Sequence, residues 1–219
     1  MPAESRSGRA AVAAVAGGQA AARAAAAAYQ REAIAGSGAV VLVEGFSDRC
    51  ALEALAARGG RDLTGEAVSV VPMGGATNIG HFLDAFGPRG LGVRLAGLCD
   101  AAAEPDFRRG LERAGLAARL PRGGLERLGF FVCVADLEDE LIRSLGVASV
   151  EQVIEGQGEL GSLRTLQKQP AHRGEPATEQ LRRFMGTRSG RKSLYARLLA
   201  GALDPARVPR PLERVLAHV

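Results

Sequence analysis

The chain of 219 residues carries 28 basic and 24 acidic side chains, so its formal net charge is +4 with histidine neutral. Apolar residues make up 47% of the sequence and charged residues 24%, as in a folded globular protein, which excludes a wholly disordered chain and a membrane bundle. Arginine outnumbers lysine by 26 to 2, as expected from a GC-rich coding bias, so the positive charge by itself is weak evidence for a polyanionic partner.

The cysteines fit a reducing compartment, and the hydropathy pattern predicts no membrane span. Three cysteines stand far apart, at positions 50, 99 and 133, and no Cys-x-x-Cys pair predicts a zinc site or a disulfide framework. The N-terminus lacks the plan of a signal peptide, and no apolar run approaches the roughly 20 residues that span a bilayer. We therefore expect a cytoplasmic protein without a membrane partner.

Composition divides the chain into three predicted parts. Residues 1–37 form an Ala-rich leader, helical or disordered, and residues 38–146 alternate short β-type runs with helical stretches. Residues 147–219 are predicted to be a helical C-terminal extension. Proline and glycine should break this extension at three places: 170, 174–176 and 186–190.

The middle part predicts a four-stranded sheet. Apolar runs predict strands at residues 39–44, 67–72, 92–99 and 129–135. Helices are predicted between or after them, at residues 47–58, 77–86, 104–114 and 137–145, with Ser47 as the N-cap of the first. The alternation predicts an α/β fold, a mainly parallel sheet with helices on both faces.

Acidic residues follow three of the four predicted strands. Strand one ends at Glu44, with Asp48 in the first turn of the next helix; strand three runs into Asp100, and strand four into residues 136–140. In an open parallel sheet ligands bind beyond the carboxyl ends of the strands. Carboxylates gathered there repel one another unless a cation neutralises them, and oxygen ligands suit Mg²⁺ or Mn²⁺.

Some of these residues also have purely structural explanations. Asp48 can complement a helix dipole, and Asp136 is more readily explained as an N-cap. The Gly74-Gly75 turn after strand two could bind a phosphate or be a simple turn, and the sequence contains no P-loop. Glu44 and Asp100 are harder to explain structurally, because an unpaired carboxylate after an apolar run is costly.

The motif Val-Glu-Gly-Phe-Ser-Asp at residues 43–48 resembles the first motif of the TOPRIM domain. More narrowly, it resembles the TOPRIM nuclease region of OLD-family (overcoming lysogenization defect) endonucleases. The resemblance continues through the turn at residues 74–78, Asp100 and residues 136–138, and covers about residues 38–146. It implies a TOPRIM-like, Rossmann-like fold shared with primases, topoisomerases and recombination proteins, and metal-dependent cleavage of DNA.

The resemblance also implies residue roles. Glu44 would bind the metal and take part in proton transfer, and Asp48, Asp100 and Glu138 would complete the shell around Mg²⁺ or Mn²⁺. OLD-like nucleases also place a lysine after the sheet, and Lys192 is the match. Its compact ammonium would stabilise charge on the phosphate, whereas a chance surface lysine is the alternative. No organic cofactor is implied.

One position departs from the family pattern. The second TOPRIM motif is Asp-x-Asp, but this chain has Asp100 and then Ala102 in place of the second acid, with Glu104 and Asp106 as possible substitutes. The loss would leave a one-metal site or abolish cleavage. The ATPase domain of full-length OLD proteins is also absent from the sequence, which leaves DNA and either a separate ATPase or a second copy as the expected partners.

Four arginines in the C-terminal extension are candidates for contacts with a DNA backbone, the alternative being a solvated basic face. They are Arg182, Arg183, Arg188 and Arg191. Aromatic residues make up only 4%, with no tryptophan, which argues against binding by base stacking on an aromatic platform. Two further functions remain open: a catalytically impaired TOPRIM module that binds nucleic acid or regulates a partner ATPase or nuclease, and a small phosphoesterase or nucleotidyl transferase.

Overall fold

A four-stranded parallel sheet lies at the centre of the computed structural model, which describes residues 37–121, 123–188 and 190–219. Its strand order is β2-β1-β3-β4. The strands are β1 (Ala39–Val43), β2 (Val68–Pro72), β3 (Arg94–Cys99) and β4 (Phe130–Val132). The prediction of four strands in a parallel sheet is confirmed, although each strand is shorter than predicted. Residues 1–36 of the predicted leader lie outside the described residues.

The strand order creates a switch point beside β1. The chain passes from β1 to β2 on one side and then crosses to β3 on the other, so Val43 pairs with both Pro72 and Leu98. At such a point the two crossover connections leave in opposite directions and open a crevice at the carboxyl ends of the strands. Glu44 and Asp100 directly follow the two strands that meet there.

Five helices accompany the sheet in the part of the chain that the structure describes before residue 146. They are α1 (Phe46–Arg58), α2 (Ile79–Phe86), α3 (Glu104–Arg113), α4 (Gly124–Arg127) and α5 (Leu137–Leu145). The predicted helix 77–86 begins instead as a 3-10 turn at Ala76–Asn78, and the short α4 was not predicted. The predicted N-cap Ser47 is wrong: Gly45 is the N-cap, because α1 begins one residue earlier, at Phe46.

The C-terminal part is helical, as predicted, and breaks at the expected proline and glycine positions. Its helices are α6 (Val147–Gly156), α7 (Leu160–Lys168), α8 (Ala177–Gly186), α9 (Arg191–Ala202) and α10 (Arg210–His218), with a 3-10 turn at Pro205–Arg207. Across the described ranges, no helix combines the length and the apolar character that crossing a membrane requires.

Each face of the sheet packs against its own core. Side chains alternate along β1, so that Val41 and Val43 enter one core while Val40 and Leu42 enter the other. The first core continues into the C-terminal helices, where α9 packs along α1 and α10 contacts β3 and β4. The C-terminal helices are therefore bound to the sheet by shared apolar contacts, which places their side chains at defined positions beside it.

A glycine allows β3 and β4 to lie close together. A Cβ added at Gly97 would lie 2.5 Å from a ring carbon of Phe130, which is itself buried, and 3.1 Å from the carbonyl oxygen of Leu42. Any side chain at position 97 would therefore displace the Phe130 ring and the strand that carries it. This close packing positions the chain after β4, which carries the acidic residues 136–140.

Candidate functional site

Glu44 is held at the switch point by two backbone groups. The backbone N–H of Asp100 donates to Glu44 Oε1 at 2.8 Å, and the N–H of Gly75 donates to the Glu44 carbonyl oxygen at 3.0 Å. The first bond connects the end of β1 to the end of β3, and the second connects it to the turn after β2. Because both donors belong to the backbone, the carboxylate has a defined place among three strand ends.

Asp48 is buried in the first turn of α1. Its Oδ2 accepts a hydrogen bond from the backbone N–H of Gly45 at 2.8 Å, so the side chain does stabilise the start of the helix. Burial, with a smaller contribution from the negative charges of Glu138 and Glu44, outweighs the hydrogen bond from Gly45 and raises its pKa to about 6. The structural role proposed for Asp48 is therefore real, and the residue also lies within the field of two other carboxylates.

Asp100 experiences the charge of every other acid at this edge. Partial burial, together with the charges of Glu44, Asp48, Asp136 and Glu138, raises its pKa to about 7. Such mutual repulsion requires that the carboxylates lie near one another. The four predicted metal ligands, Glu44, Asp48, Asp100 and Glu138, therefore lie within reach of one another's charge.

Glu138 and Lys192 form an ion pair across the site. Glu138 is 5% exposed, and its Oε2 accepts from Lys192 Nζ at 3.1 Å. Its Oε1 is buried and has no hydrogen-bond partner among the described residues. Burial acts to lower the pKa of Lys192, but Glu138, Asp136 and Asp100 outweigh it and raise the pKa, so the lysine is charged. A buried carboxylate oxygen without a donor is costly, which makes Glu138 a candidate for a further cationic partner.

Asp136 is the N-cap of α5, as expected. Its Oδ1 accepts from the backbone N–H of Asp139 at 2.8 Å, while its Oδ2 binds the guanidinium of Arg182. Arg182 also binds Glu179 at 2.8 Å, and these bonds raise the pKa of its guanidinium. Asp136 therefore has both a structural role and a counterion, which leaves it outside the set of candidate metal ligands.

The missing second acid is not replaced by its neighbours. Ala102 lies exposed in a 3-10 turn, Ala101–Ala103, directly after Asp100. Glu104 binds Arg108 at 2.6 Å, and Asp106 binds Arg109 in the next turn of the same helix, α3. Both possible substitutes are thus paired along α3.

The four arginines predicted to contact DNA have different surroundings. Arg191 is only 6% exposed: it stacks on the Phe184 ring at 4.2 Å and binds Glu159 at 2.7 Å. Its burial leaves it out of any exposed phosphate-binding surface.

The other three arginines are closer to solvent. Arg188 and Arg183 are exposed, and their nearest carboxylate oxygens lie at 3.8 Å and 3.6 Å. Arg182 forms an ion pair with Asp136.

The glycine turn after β2 supports Glu44. Gly74 and Gly75 both have positive φ, at 72° and 122°, a conformation that favours glycine. Asn78 Nδ2 donates to the Met73 carbonyl oxygen at 3.0 Å, which closes the turn. Since the N–H of Gly75 donates to the Glu44 carbonyl oxygen, it is engaged within the protein, which favours a structural turn here.

Two large apolar side chains at this edge are exposed, and no pattern in the sequence predicted their exposure. Phe46 is 58% exposed at the first position of α1, and Val134 is 71% exposed after β4. The burial of an aromatic side chain depends on what packs over it, so the sequence holds little signal for this. The position of Phe46 directly inside the Val-Glu-Gly-Phe-Ser-Asp motif was the available hint.

The fold and this acidic edge define an α/β protein of the TOPRIM type. Residues 37–101 match the family model described as the TOPRIM domain of overcoming lysogenization defect protein-like proteins. Glu138 and Lys192 lie outside the matched range. No curated protein matches the chain.

Solved structures extend the likeness beyond the matched residues. The C-terminal region of the Burkholderia pseudomallei OLD protein superposes with a TM-score of 0.66 at 23% identity, covering 83% of this chain and 96% of that chain. The C-terminal region of the Xanthomonas campestris pv. campestris OLD protein has a TM-score of 0.64 at 24% identity, covering 83% and 94%. At this identity the likeness shows a common fold for the TOPRIM part and the C-terminal helices together.

The donor chemistry of the site fits a divalent cation. TOPRIM domains generally bind such ions, and Glu138 Oε1 is a buried oxygen without a donor within the described residues. As the side chains stand in residues 37–121, 123–188 and 190–219, no three acidic, histidine or cysteine groups form a ready metal shell. A complete shell would therefore need side-chain rotations at this edge.

The raised pKa values predict how stability depends on pH in EDTA. Folded Asp48 and Asp100 have pKa values of about 6 and 7, against 3.8 ordinarily. Between pH 4 and pH 7 the folded protein therefore binds more protons than the unfolded chain, so stability falls as the pH rises. We expect the free energy of unfolding by urea to be about 1–3 kcal/mol lower at pH 8 than at pH 5 from these groups, once the contribution of the partly exposed Asp100 is reduced for screening by solvent.

Substitution isolates the contribution of Asp48. Asp48→Asn should reduce the difference in unfolding free energy between pH 5 and pH 8, because the variant has no titrating carboxyl group at that position. Asp84→Asn is the matched control, since Asp84 is exposed and pairs with Arg89 on the surface. An Asp48→Asn protein with the same pH dependence as the unmodified chain would contradict the account of the site.

Proposed function

We propose that this protein is a metal-dependent nuclease that hydrolyses DNA phosphodiester bonds in the cytoplasm at its TOPRIM carboxylate cluster. The observation that carries the proposal is the meeting of Glu44 and Asp100 at the switch point, with Asp48 and Glu138 beside them and Lys192 on Glu138. The family match supports an enzyme of the nuclease or topoisomerase type.

The carboxylates would hold Mg²⁺ or Mn²⁺. Glu44, Asp48, Asp100 and Glu138 are the residues that we assign to this shell. A divalent cation bound by such ligands lowers the pKa of water and neutralises charge on a phosphate. The bond from the Asp100 N–H to Glu44 Oε1 leaves Glu44 Oε2 available for a metal or a proton.

Lys192 suits the role of phosphate stabiliser. Its side chain is 53% exposed although its ammonium group binds Glu138, so it can be reached by a substrate. Its charge is sustained by the acids around it. If Glu138 were to hold a metal, the Lys192 ammonium would be free to bind a phosphate oxygen, where a fixed positive charge would lower the energy of the transition state. Arg188 and Arg183 are the exposed arginines that could follow the DNA backbone.

A catalytically impaired module is the second candidate function. Ala102 replaces the second acid, Glu104 and Asp106 are paired with arginines, and no ready metal shell exists in the described ranges. Such a module would bind nucleic acid or regulate a partner ATPase or nuclease while keeping the TOPRIM fold. The partners that we propose are DNA together with a separate ATPase or a second copy of the chain.

Removal of the Glu44 charge tests for cleavage. Supercoiled plasmid is incubated with the protein in EDTA, Mg²⁺, Mn²⁺ and Ca²⁺, and the nicked form is quantified. We expect nicking only in the presence of a divalent metal. Glu44→Gln should nick plasmid more slowly by about 10²-fold or by a larger factor, because the amide keeps the bond with the Asp100 N–H but loses the charge.

The control variant removes an acidic charge from the exposed surface of α1 instead of from the candidate site. Glu53→Gln alters an exposed acid of α1 that pairs with Arg49, and it should nick at the rate of the unmodified protein. Absence of nicking by a folded protein with every metal, combined with salt-dependent DNA binding, would move the assignment to the impaired module.

Restoration of the second acid tests whether Ala102 weakens metal binding. Ala102→Asp should tighten Mn²⁺ binding about tenfold, equivalent to about 1.4 kcal/mol, because it adds a carboxylate two residues after Asp100. Titration calorimetry measures the affinity, and plasmid nicking should rise in parallel. Ala102→Asn adds similar bulk without charge and serves as the control. Equal Mn²⁺ affinity in both variants would show that position 102 does not face the metal.

A further inference from the structure

Phe46 is an exception among the phenylalanines of this chain. The sequence has seven, all within the described residues, and the other six are at most 3% exposed: Phe82, Phe86, Phe107, Phe130, Phe131 and Phe184. Phe46 is 58% exposed. Removal of an aromatic ring from water is favourable, so a ring left in solvent at a defined position forgoes that stabilisation and is available to contact a ligand.

The position of Phe46 connects it to the acidic edge. It lies two residues after Glu44 and two before Asp48, at the first position of α1. The inward face of α1 is formed by Ala51, Leu52, Leu55 and Ala56, which are buried, and Phe46 is not part of it. The ring therefore contributes little to the core and lies at the rim of the candidate site.

A second exposed apolar side chain lies at the other end of the row of acids. Val134 follows β4, and its backbone N–H donates to Glu140 Oε1 at 2.7 Å, which fixes the chain at this point. Strands β1 and β4 are separated by β3, so the two strand ends lie about 10 Å apart at the usual spacing between strands. Phe46 and Val134 thus bracket Asp100 along the edge of the sheet.

We propose that Phe46 is a base-contacting residue. Its ring stacks on a nucleobase of the same DNA strand whose phosphate is bound at the carboxylates, and Val134 provides a second apolar contact. The inference rests on the proposed function. A ring beside charged groups matches a nucleotide, which presents an apolar face close to a phosphate. Stacking on one ring is tolerant of base identity because every base has a π-face.

A protein partner would require different surroundings. Anchors of protein interfaces lie at the centre of well-packed apolar areas from which water is excluded. Phe46 is flanked by Glu44, Gly45, Ser47 and Asp48, and it is one of two exposed large apolar residues in the described part of the chain. A single ring also reconciles the low aromatic content with stacking, since it serves one base and not an extended platform.

Binding of fluorescein-labelled single-stranded DNA in Ca²⁺ tests the proposal. Phe46→Ala should weaken binding about 5- to 150-fold, the range for loss of one stacked base. Phe46→Trp should bind at least as well as the unmodified chain, whereas Phe46→Leu, which keeps an apolar side chain without a ring, should resemble Phe46→Ala. The dependence of affinity on salt should stay the same, because no charge is removed.

An abasic scan gives a sharper readout. Oligonucleotides that each lack one base are bound to the unmodified protein and to Phe46→Ala. At one position, loss of the base should weaken binding by the unmodified protein yet leave Phe46→Ala unaffected, the coupling that a direct contact produces. Thermal unfolding should show equal stability for both proteins, since Phe46 is exposed.

Four results would overturn the inference. DNA binding by the unmodified chain with no loss in Phe46→Ala would overturn the role of Phe46 alone, and so would full binding by Phe46→Leu. If Phe46→Ala differed from the unmodified protein in its mass by sedimentation but not in its DNA affinity, the ring would be assigned to a contact between copies of the chain. Absence of DNA binding by the folded unmodified protein would instead remove the proposed function and this inference together.

Discussion

The gathering of carboxylates at the carboxyl edge of the sheet is the constraint on which the rest of the structure depends. Glu44 and Asp100 end neighbouring strands, and Asp48 and Glu138 are buried beside them. Burial and mutual repulsion raise the pKa values of Asp48 and Asp100 to about 6 and 7. Since repulsion at the edge weakens the folded state, the surrounding elements must supply donors and positive charge.

The C-terminal helices supply part of that charge. Helix α9 packs along α1 in the shared core, which brings Lys192 onto Glu138, and α8 brings Arg182 onto Asp136. Residues 37–101, which match the OLD-like TOPRIM model, contain Glu44, Asp48 and Asp100 but neither Glu138 nor Lys192. The candidate site is therefore completed by the C-terminal half of the chain, and the two halves depend on each other through charge as well as packing.

The sequence predicted what depends on periodicity and chain order. Continuous apolar runs followed by acids indicated the sheet and placed Glu44 and Asp100 at its edge, and the N-cap role of Asp136 was also expected. Burial from distant elements could not be predicted: Arg191 has the same local context as its exposed neighbour Arg188, yet Glu159 and Phe184 enclose it. The exposure of Phe46 likewise depends on which helices pack over α1.

Localisation of Mn²⁺ in crystals of the protein tests the central claim most directly, because anomalous scattering identifies the ion without reference to activity. We expect a single strong peak at the carboxyl ends of β1 and β3, with Glu44, Asp48, Asp100 and Glu138 as ligands and Lys192 Nζ displaced from Glu138 Oε2. A structure at saturating Mn²⁺ with no peak at this edge, and with the Lys192–Glu138 pair intact, would contradict it.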